Sequence, residues 1–397
     1  VASSLDGNIV LDLTHVLAGP FAGVILSDLG AQVIKIEQPG IGDRSRASGP
    51  FVGDESSYFM SVNRGKLGLG IDLSLPNGKA LFLKLVSKAD VVLENFAPGT
   101  MDRLGLGYET LKQYNARLIY AAISGFGQNG PYAGKSAMDI VVQGMGGIMS
   151  ITGEPGGPPI RPGVSQGDIT AGLYTVIGIL AALNERNQSG LGQFVDIAML
   201  DCQVAILENA FARYFATGEV PQPLGTRHPV TAPFQAFKTK DGYITVALIE
   251  GRKERWPLMC VAMDRLDLID DPRFNTGWLR SQNYKELEPM LTEAMLKKTC
   301  QEWLDELEAL GIPCGPVNTI DKVSQDPQVI HRNMIKDTRH PRLGMVKMLG
   351  TPIKLSRTPT GSINPAPELG EHTRMILKEL LKLSSEEIDS LNDGQVI

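Results

Sequence analysis

The chain has 397 residues, 43 of them glycine, and a formal net charge of −6 at pH 7. Its glycine share exceeds the roughly 7% of an average protein, and its hydrophobic share of 43% is sufficient for a large core, which excludes a compositionally disordered chain. Because the net charge is negative and long Lys/Arg runs are missing, the composition argues against a nucleic-acid partner.

The first half of the chain alternates short β-branched runs with helical patterns. Residues 9–13 and 33–36 are predicted strands, and residues 21–29 between them form a helix that ends at Gly30, which makes a βαβ unit. This alternation predicts a large Rossmann-like α/β domain over 1–217, with a parallel sheet covered on both faces. The later elements are strands at 91–93, 118–124 and 193–196 and helices at 79–87, 111–114, 169–186 and 199–215.

The second half differs in character. Pro221, Pro223 and Gly225 indicate a linker, and residues 226–320 are predicted to form a smaller α+β domain. Its hairpin pairs 234–238 with 243–248 around Asp241-Gly242, and a helix follows at 301–310. The last segment, 321–397, contains a hairpin at 339–348 and helices at 373–381 and 385–391, and we expect it to return to the large domain.

The cysteines and histidines show no spacing typical of a metal or redox site. The four cysteines are far apart, and the five histidines lack H-x-x-x-H spacing, so no metal is expected. No apolar run approaches the roughly 18 residues of a membrane span, so no membrane partner is expected. The first residues lack a basic segment before an apolar one, which favours a cytoplasmic protein, or a mitochondrial one if a eukaryotic targeting segment is absent.

One glycine-rich motif resembles a dinucleotide-binding fingerprint. Gly125-Phe-Gly-Gln-Asn-Gly130 follows a predicted strand, but Pro131 follows directly where the fingerprint requires a helix. No convincing acidic ribose ligand occurs about 20 residues later. The motif therefore favours an ordinary glycine-rich loop over an NAD site.

Two aspartates at predicted helix starts are candidates for chemistry. Asp139 and Asp168 are each explained as simple N-caps. Asp168, however, lies beside Gly167, where a substrate can approach closely, and a helix N-terminus favours its ionised form. An ionised aspartate is able to attack an activated acyl group, which makes Asp168 a candidate nucleophile.

Candidate cations follow two predicted strands. Arg103 belongs to the loop after strand 91–93, where ligands of open α/β sheets bind, and an arginine there can hold a phosphate. Lys35, Arg44 and Arg46 gather positive charge after the second strand. An exposed, solvated side chain is the simpler explanation for each of these cations.

Taken together, these segments resemble the class III CoA-transferases (CaiB/BaiF), the family of formyl-CoA transferase and carnitine CoA-transferase. The resemblance covers essentially the whole chain, and Asp168 falls on the catalytic aspartate of the family. The order and spacing of the matching segments make it specific. These segments are 10–20, 29–37, Gly42-Asp43, 63–66, 90–96, Pro98-Gly99, 124–131 and Gly167-Asp168.

The resemblance implies transfer of CoA between two carboxylic acids, without a tightly bound cofactor, because coenzyme A and its thioesters are the substrates. Asp168 would form an aspartyl anhydride and then an aspartyl-CoA thioester, supported by Asp139. Two chains would interlock as linked rings in a homodimer. The residues implied to contact CoA and the acyl group are Val16, Leu17, Ala18, Gln38, Ile71, Asp72, Leu73, Ser74, Asn95, Phe96, Ala97, Arg103, Lys135 and Met138.

The sequence departs from formyl-CoA transferase at three of these positions. Leu17 replaces a glutamine, Gln38 an arginine and Ser74 a lysine, which argues against formate or oxalate as substrates. The segment from Thr226 to Gly242 instead resembles enzymes that use succinyl-CoA and small dicarboxylic acids. Arg227 or His228 is then expected to bind the distal carboxylate of the acid.

Two alternatives remain. The first is an α-methylacyl-CoA racemase, which shares this fold and needs a His/Asp pair for proton transfer; Met138 stands where that histidine would precede Asp139. The second is a protein that binds acyl-CoA without catalysis. Such a protein would not need a nucleophile at Asp168.

Overall fold

A computed structural model describes residues 2–248, 255–358, 360 and 364–397. The chain forms two compact units. The first comprises Val1–Ile148, Arg161–Ala212 and Pro327–Ile397, and the second comprises Met149–Ile160 and Arg213–Asp326. From residue 327 onward, the C-terminal segment thus belongs to the first unit. Residues 149–160 and 213–217, which the sequence pattern places in the large domain, belong to the second unit, as do residues 321–326 of the predicted C-terminal segment.

Helices and short strands alternate along much of the chain. Up to residue 124 they are β1 (Ile9–Asp12), α1 (Ala18–Asp28), β2 (Gln32–Glu37), β3 (Phe51–Val52), β4 (Glu55–Ser56), α2 (Ser57–Asn63), β5 (Leu67–Gly70), α3 (Pro76–Val86), β6 (Val91–Glu94), α4 (Thr100–Arg103), α5 (Tyr108–Tyr114) and β7 (Ile119–Ser124). From residue 139 to 247 they are α6 (Asp139–Met145), α7 (Ile148–Ile151), α8 (Gln166–Ser189), β8 (Phe194–Ala198), α9 (Met199–Ala205), α10 (Glu208–Thr217), β9 (Phe234–Lys238) and β10 (Tyr243–Ala247). The remaining elements are α11 (Trp256–Ala262), α12 (Gly277–Gln282), α13 (Tyr284–Met295), α14 (Cys300–Ala309), β11 (Cys314–Pro316), α15 (Ile320–Val323), α16 (Pro327–His331), β12 (Ile335–His340), β13 (Gly344–Leu349), α17 (Thr373–Leu381) and α18 (Ser385–Asp393).

The first unit is built on a six-stranded parallel sheet in the order β5-β2-β1-β6-β7-β8. In the centre, Val10 of β1 pairs with Val33 of β2 on one side and with Val91 of β6 on the other. Every residue of β6 and β7 is buried, as expected for strands of a parallel sheet covered on both faces. The predicted α/β fold with a parallel sheet is confirmed.

Two apolar clusters cover the faces of this sheet. One contains residues of α1 and α8, including Ala22 and Ala171, and the other contains residues of α3 and α5, including Phe82 and Leu111. Helices α1 and α8 approach closely because Gly172 lacks a side chain: a Cβ there would lie 2.8 Å from the carbonyl oxygen of Ala18. This close contact fixes the helix that carries Asp168 against the sheet.

The C-terminal helices also pack on the first unit. Ile376 and Leu377 of α17 and Ile388 of α18 are buried in the second of these clusters. The edge strand β5 is tied to α17, because the Gly70 amide donates to the hydroxyl oxygen of Thr373 at 3.0 Å. The segment thereby covers a strand edge that would otherwise expose unpaired amides.

Helix α8 is long and apolar enough, by length and composition alone, to meet the criteria for a membrane-spanning helix. The sequence pattern predicts no run of membrane length. About half of the helix is buried against the sheet and its neighbours, and buried core helices of water-soluble proteins meet the same criteria. The exposed half carries Leu173, Tyr174 and Ile177.

The second unit contains an antiparallel sheet in the order β11-β10-β9. The hairpin expected from Asp241-Gly242 is present, with Tyr243 paired to Lys238; of its predicted second strand, residue 248 lies beyond β10. Trp256 and Trp303 are almost fully buried in the core of this unit, next to apolar residues of α13 and α14.

Candidate active site

Asp168 lies in the first turn of α8, two residues after the helix begins at Gln166. The N-cap position belongs to Ser165, so the explanation of Asp168 as an N-cap is wrong. The side chain is partly buried, and its carboxylate lies where the helix dipole favours negative charge.

Asp139 connects two helices. It is the first residue of α6, whose N-cap is Met138, so it is not an N-cap either. Its Oδ1 accepts a hydrogen bond from the Gly167 amide at 2.9 Å, which satisfies a free N–H at the start of α8. Its Oδ2 accepts hydrogen bonds from Gln143 at 2.7 Å and from Arg161 at 2.9 Å. Asp139 thus fixes the residue directly before Asp168.

Gly167 allows this contact. A Cβ at this position would lie 2.6 Å from Cγ2 of Val142 and 3.1 Å from Oδ1 of Asp139. Any larger residue would push α6 away from α8. Glycine directly before Asp168 therefore has a steric role, because it allows α6 to pack against α8.

The environment of Asp168 weakens its acidity. Burial raises the pKa of Asp168 to about 7, and the negative charge of Asp139 adds to this effect. The positive charge of Arg161 opposes both by favouring the carboxylate form. A carboxyl group with a pKa near neutrality is half ionised at that pH, and such shifted values are often found at functional sites.

Two residues of this site are missed by sequence reasoning. Arg161 lies in a loop rich in proline and glycine, and Tyr58 lies in α2, a helix that the pattern does not predict. Burial, together with the charges of Asp168, Asp43 and Asp139, raises the pKa of Tyr58 to about 12, so its hydroxyl remains a hydrogen-bond donor. Neither residue belongs to a recognisable motif, and only the fold brings them to Asp168.

The segment after β1 is held in an unusual conformation. Val16 has φ 70°, a left-handed value that a β-branched residue rarely adopts. Its amide donates to Oδ1 of Asp43 at 3.2 Å. The preceding residue, His15, exchanges two backbone hydrogen bonds with the side-chain amide of Asn95, at 2.8 and 2.9 Å. The predicted site residues Val16 and Asn95 are thereby brought together, and Leu17 and Ala18 follow at the start of α1.

Two of the cations in and after the second strand form ion pairs with buried acids and are not exposed, solvated side chains. Nζ of Lys35 lies 2.7 Å from Oδ2 of Asp43, and both side chains are fully buried. Arg46 forms a bidentate pair with Glu37. These two cations organise the carboxyl end of β2 and are not available to bind phosphate.

The other residues implied to contact CoA follow the strands on the same side of the sheet. Gln38 follows β2, Ile71–Ser74 follow β5, and Asn95–Ala97 follow β6, so they occupy the carboxyl ends of neighbouring strands, where open α/β sheets bind ligands. Arg103 is exposed and donates to Thr100 at 2.8 Å.

Four further predicted residues do not directly follow β2, β5 or β6 in the chain. Lys135 lies over the ring of Tyr132, with Nζ 3.8 Å from its centroid, and Met138 is 66% exposed. Both belong to the first unit. Arg227 and His228 belong to the second unit, where the Arg227 guanidinium lies 4.3 Å from the ring centroid of Tyr284. Their role in substrate binding stays a prediction.

No group of three or more His, Cys, Asp or Glu side chains suited to a metal ion occurs within 2–248, 255–358, 360 and 364–397. The site itself offers a partly buried carboxylate at a helix N-terminus, next to the carboxyl edge of a parallel sheet. A carboxylate in such a position is able to act as a nucleophile in acyl transfer.

Comparison with known proteins identifies the class. The model of CoA-transferase family III matches residues 5–373, and the chain belongs to this family. It is an enzyme of the class III CoA-transferase type, which transfers CoA between an acyl-CoA and a carboxylic acid.

Several curated relatives match nearly the whole chain. It is 39% identical to succinyl-CoA:glutarate CoA-transferase of Homo sapiens, over 99% of this chain and 90% of that protein. It is 43% identical to acetyl-CoA:oxalate CoA-transferase of Acetobacter aceti, over 94% of this chain and 95% of that protein. A CAIB/BAIF family protein from Brucella suis has a similar structure, with a TM-score of 0.85 and 40% identity over 96% of this chain and 100% of that one.

Proposed function

We propose that Asp168 is the nucleophile of a double-displacement CoA transfer. Its carboxylate attacks the carbonyl carbon of the donor thioester, and the C–S bond breaks to give an aspartyl anhydride and a CoA thiolate. The thiolate then attacks the aspartyl carbonyl, which releases the donor acid and leaves an aspartyl-CoA thioester. An acceptor carboxylate reverses both steps and departs as the new acyl-CoA. Division into several acyl transfers is the advantage of covalent catalysis.

The geometry around Asp168 is the observation that carries this mechanism. The carboxylate is partly buried, lies in the first turn of α8, and is held next to an arginine and an aspartate. Partial desolvation makes an ionised carboxylate a stronger nucleophile, and the helix N-terminus stabilises negative charge that develops beside it.

For the substrates, the proposal is an acyl-CoA such as succinyl-CoA and a small dicarboxylic acid. Relatives that match almost the whole chain are named for glutarate, and a further one, 38% identical, for mesaconate. The relative from Acetobacter aceti is named for oxalate, so oxalate belongs among the acids to be tested despite the departures at Leu17, Gln38 and Ser74. Arg227 and His228 are retained as candidate contacts of the distal carboxylate.

The proposed assembly is a homodimer of interlocked rings. Exposed apolar side chains support association: Leu173 and Ile177 on α8 are 45% and 60% exposed, and Ile140 and Met145 on α6 are 52% and 46% exposed. Soluble proteins rarely leave a contiguous apolar face of this kind uncovered. A second copy of the chain is the occupant we propose.

The test is a transfer assay with a panel of acyl-CoA donors and carboxylic acids, comparing wild type with Asp168→Asn. We expect the substitution to reduce transfer by about a thousandfold or more, as removal of a covalent nucleophile does in other enzymes. Asp201→Asn, an exposed acidic residue on α9, is the control and should keep full activity.

A covalent intermediate is the second measurement. Incubation with acyl-CoA should attach CoA to the peptide that contains Asp168, detectable by mass spectrometry after digestion. Transfer that continues at the wild-type rate in Asp168→Asn would refute the mechanism. Exchange of the α-proton of the acyl-CoA with D₂O, without CoA transfer, would instead indicate a racemase.

A further inference from the structure

The guanidinium of Arg161 lies at the start of α8, the helix that carries Asp168, and one of its nitrogens is unused. Nη2 donates to Asp139 at 2.9 Å and to the Ser165 hydroxyl at 3.0 Å, and Nε lies 3.3 Å from the same oxygen of Asp139. Nη1 has no hydrogen-bond partner within the part of the chain that the structure describes. The Arg161 side chain is 35% exposed, and Nη1 is not one of the buried side-chain atoms that lack a partner among the described residues, so a substrate is able to reach it.

From this geometry we propose that Arg161 binds the distal carboxylate of a dicarboxylic acyl group while its other carboxyl reacts at Asp168. The inference rests on the proposed CoA transfer and adds the residue that selects the substrate. A guanidinium with one edge fixed by protein and the other free is suited to a carboxylate, since charge-assisted N–H···O bonds are strong and directional.

Three other cations on this side of the sheet are paired with carboxylates inside the fold. Lys35 is paired with Asp43, Lys66 with Asp12, and Arg46 with Glu37. Arg161, by contrast, is close enough to Asp168 for its positive charge to lower the pKa of that carboxyl. In the anhydride, a short methylene chain separates the acyl carbonyl next to Asp168 from the distal carboxylate. The distal carboxylate is therefore able to reach the positive charge of Arg161.

The charges also change favourably during the reaction. Before reaction, the positive charge of Arg161 forms an ion pair with Asp139 and also attracts the carboxylate of Asp168. Formation of the anhydride removes the charge of Asp168, because the attacking oxygen becomes the bridging oxygen of the anhydride. In the thioester that oxygen has left with the donor acid, and Asp168 is again uncharged. Arg161 then attracts the distal carboxylate without competition from Asp168, so the interaction is strongest in these two states.

Substrate selectivity distinguishes this role from a structural one. We expect Arg161→Gln to lower kcat/KM for glutarate or succinate by about 100-fold, the effect of removing one partner of a desolvated charge pair. For butyrate, which lacks the distal carboxylate, the loss should be no more than a few-fold. Arg161→Lys should recover part of the preference for dicarboxylates, because it restores the charge without the planar fork.

The matched control is Gln143→Leu, which removes a different hydrogen bond to Asp139 and leaves the cation in place. This substitution should change kcat/KM for glutarate and for butyrate by the same factor. If Arg161→Gln lowers kcat/KM for glutarate and for butyrate by the same factor, Arg161 only positions Asp139 and the inference is wrong. The inference is also wrong if the ratio of kcat/KM for glutarate to that for butyrate changes in Arg227→Gln but not in Arg161→Gln. Failure of the wild type to transfer CoA to any acid would instead refute the proposed function itself.

Discussion

If Asp168 is the nucleophile, as proposed, its side chain attacks only as a carboxylate, and its ionisation then sets the pH dependence of transfer. Burial and the charge of Asp139 raise the pKa of Asp168 to about 7. The reactive form is therefore lost as pH falls below that value. We expect kcat/KM to rise with pH, to be half-maximal near pH 7, and to level off above it, unlike an ordinary aspartate, whose activity would already be constant well below neutrality.

Substitutions at the two charged neighbours test the cause of this shift. Asp139→Asn removes the negative charge but keeps an oxygen for the Gly167 amide, so the midpoint of the profile should move to lower pH. Arg161→Gln removes the opposing positive charge and should move the midpoint to higher pH. A midpoint that stays constant in both variants would contradict the electrostatic explanation. The profiles are best measured with a monocarboxylic acceptor, for which Arg161 has no proposed binding role.

The individual site residues differ in how far the sequence predicts them. Asp168 is recognisable because it follows Gly167 within a motif of the family, and Val16 and Asn95 because they follow strands. Arg161 carries no local signal: its role depends on a contact with Asp139, 22 positions earlier in the chain. Lys35 and Arg46 are not the exposed, solvated cations that the sequence favours, because the fold pairs them with the buried acids Asp43 and Glu37.

Helices α1 and α8 approach closely at Gly172, and we expect that a side chain added at this position destabilises the protein. In Gly172→Ala, the new Cβ would lie 2.8 Å from the Ala18 carbonyl oxygen and 3.0 Å from Cδ1 of Phe21, so the helices must separate. We expect a loss of about 1–3 kcal/mol in the free energy of unfolding, typical of overpacking, measured by urea denaturation. Activity should also fall, because α8 carries Asp168.

Gly134→Ala is the control for this substitution, since its Cβ would meet nothing within 4 Å. It should leave the denaturation midpoint close to that of wild type. Equal stability of the two variants would show that the helices adjust without cost, and would contradict the close fit inferred for α1 and α8.

Elements with strong periodicity are predictable from the sequence, and those that depend on their neighbours are not. The β-branched runs predict β1, β2, β6 and β7 correctly. Strand β5 is missed because Leu67-Gly-Leu-Gly70 has half its positions occupied by glycine, a weak strand former; its pairing with β2 and its cover by α17 supply the missing stability. The single helix expected over 199–215 is two helices, because a tighter turn, with the Leu207 amide bonded to the Val204 carbonyl, separates α9 from α10.

The negative net charge of the whole chain is compatible with a negatively charged CoA substrate, because several of the acidic side chains are paired with cations inside the fold. A net charge of −6 is by itself unfavourable for binding polyanionic CoA, yet the carboxylates at the carboxyl ends of the central strands are largely neutralised within the fold. Asp12, Asp43 and Glu37 each contact a lysine or arginine. The charges of these buried acids are thereby balanced locally, and binding of the ligand by exposed cations such as Arg103 stays a prediction.

The apolar face formed by α8 and α6 leads to a prediction about assembly. If two chains interlock as linked rings, they separate only when one chain opens, and subunit exchange is then limited by slow unfolding. Two preparations of the protein that differ by a mass tag should both be dimers by native mass spectrometry. After mixing under native conditions they should form no mixed dimers, whereas unfolding and refolding the mixture should produce them. Mixed dimers that appear in native buffer would contradict interlocking and leave an ordinary dimer, and a monomeric protein would contradict the proposed assembly as a whole.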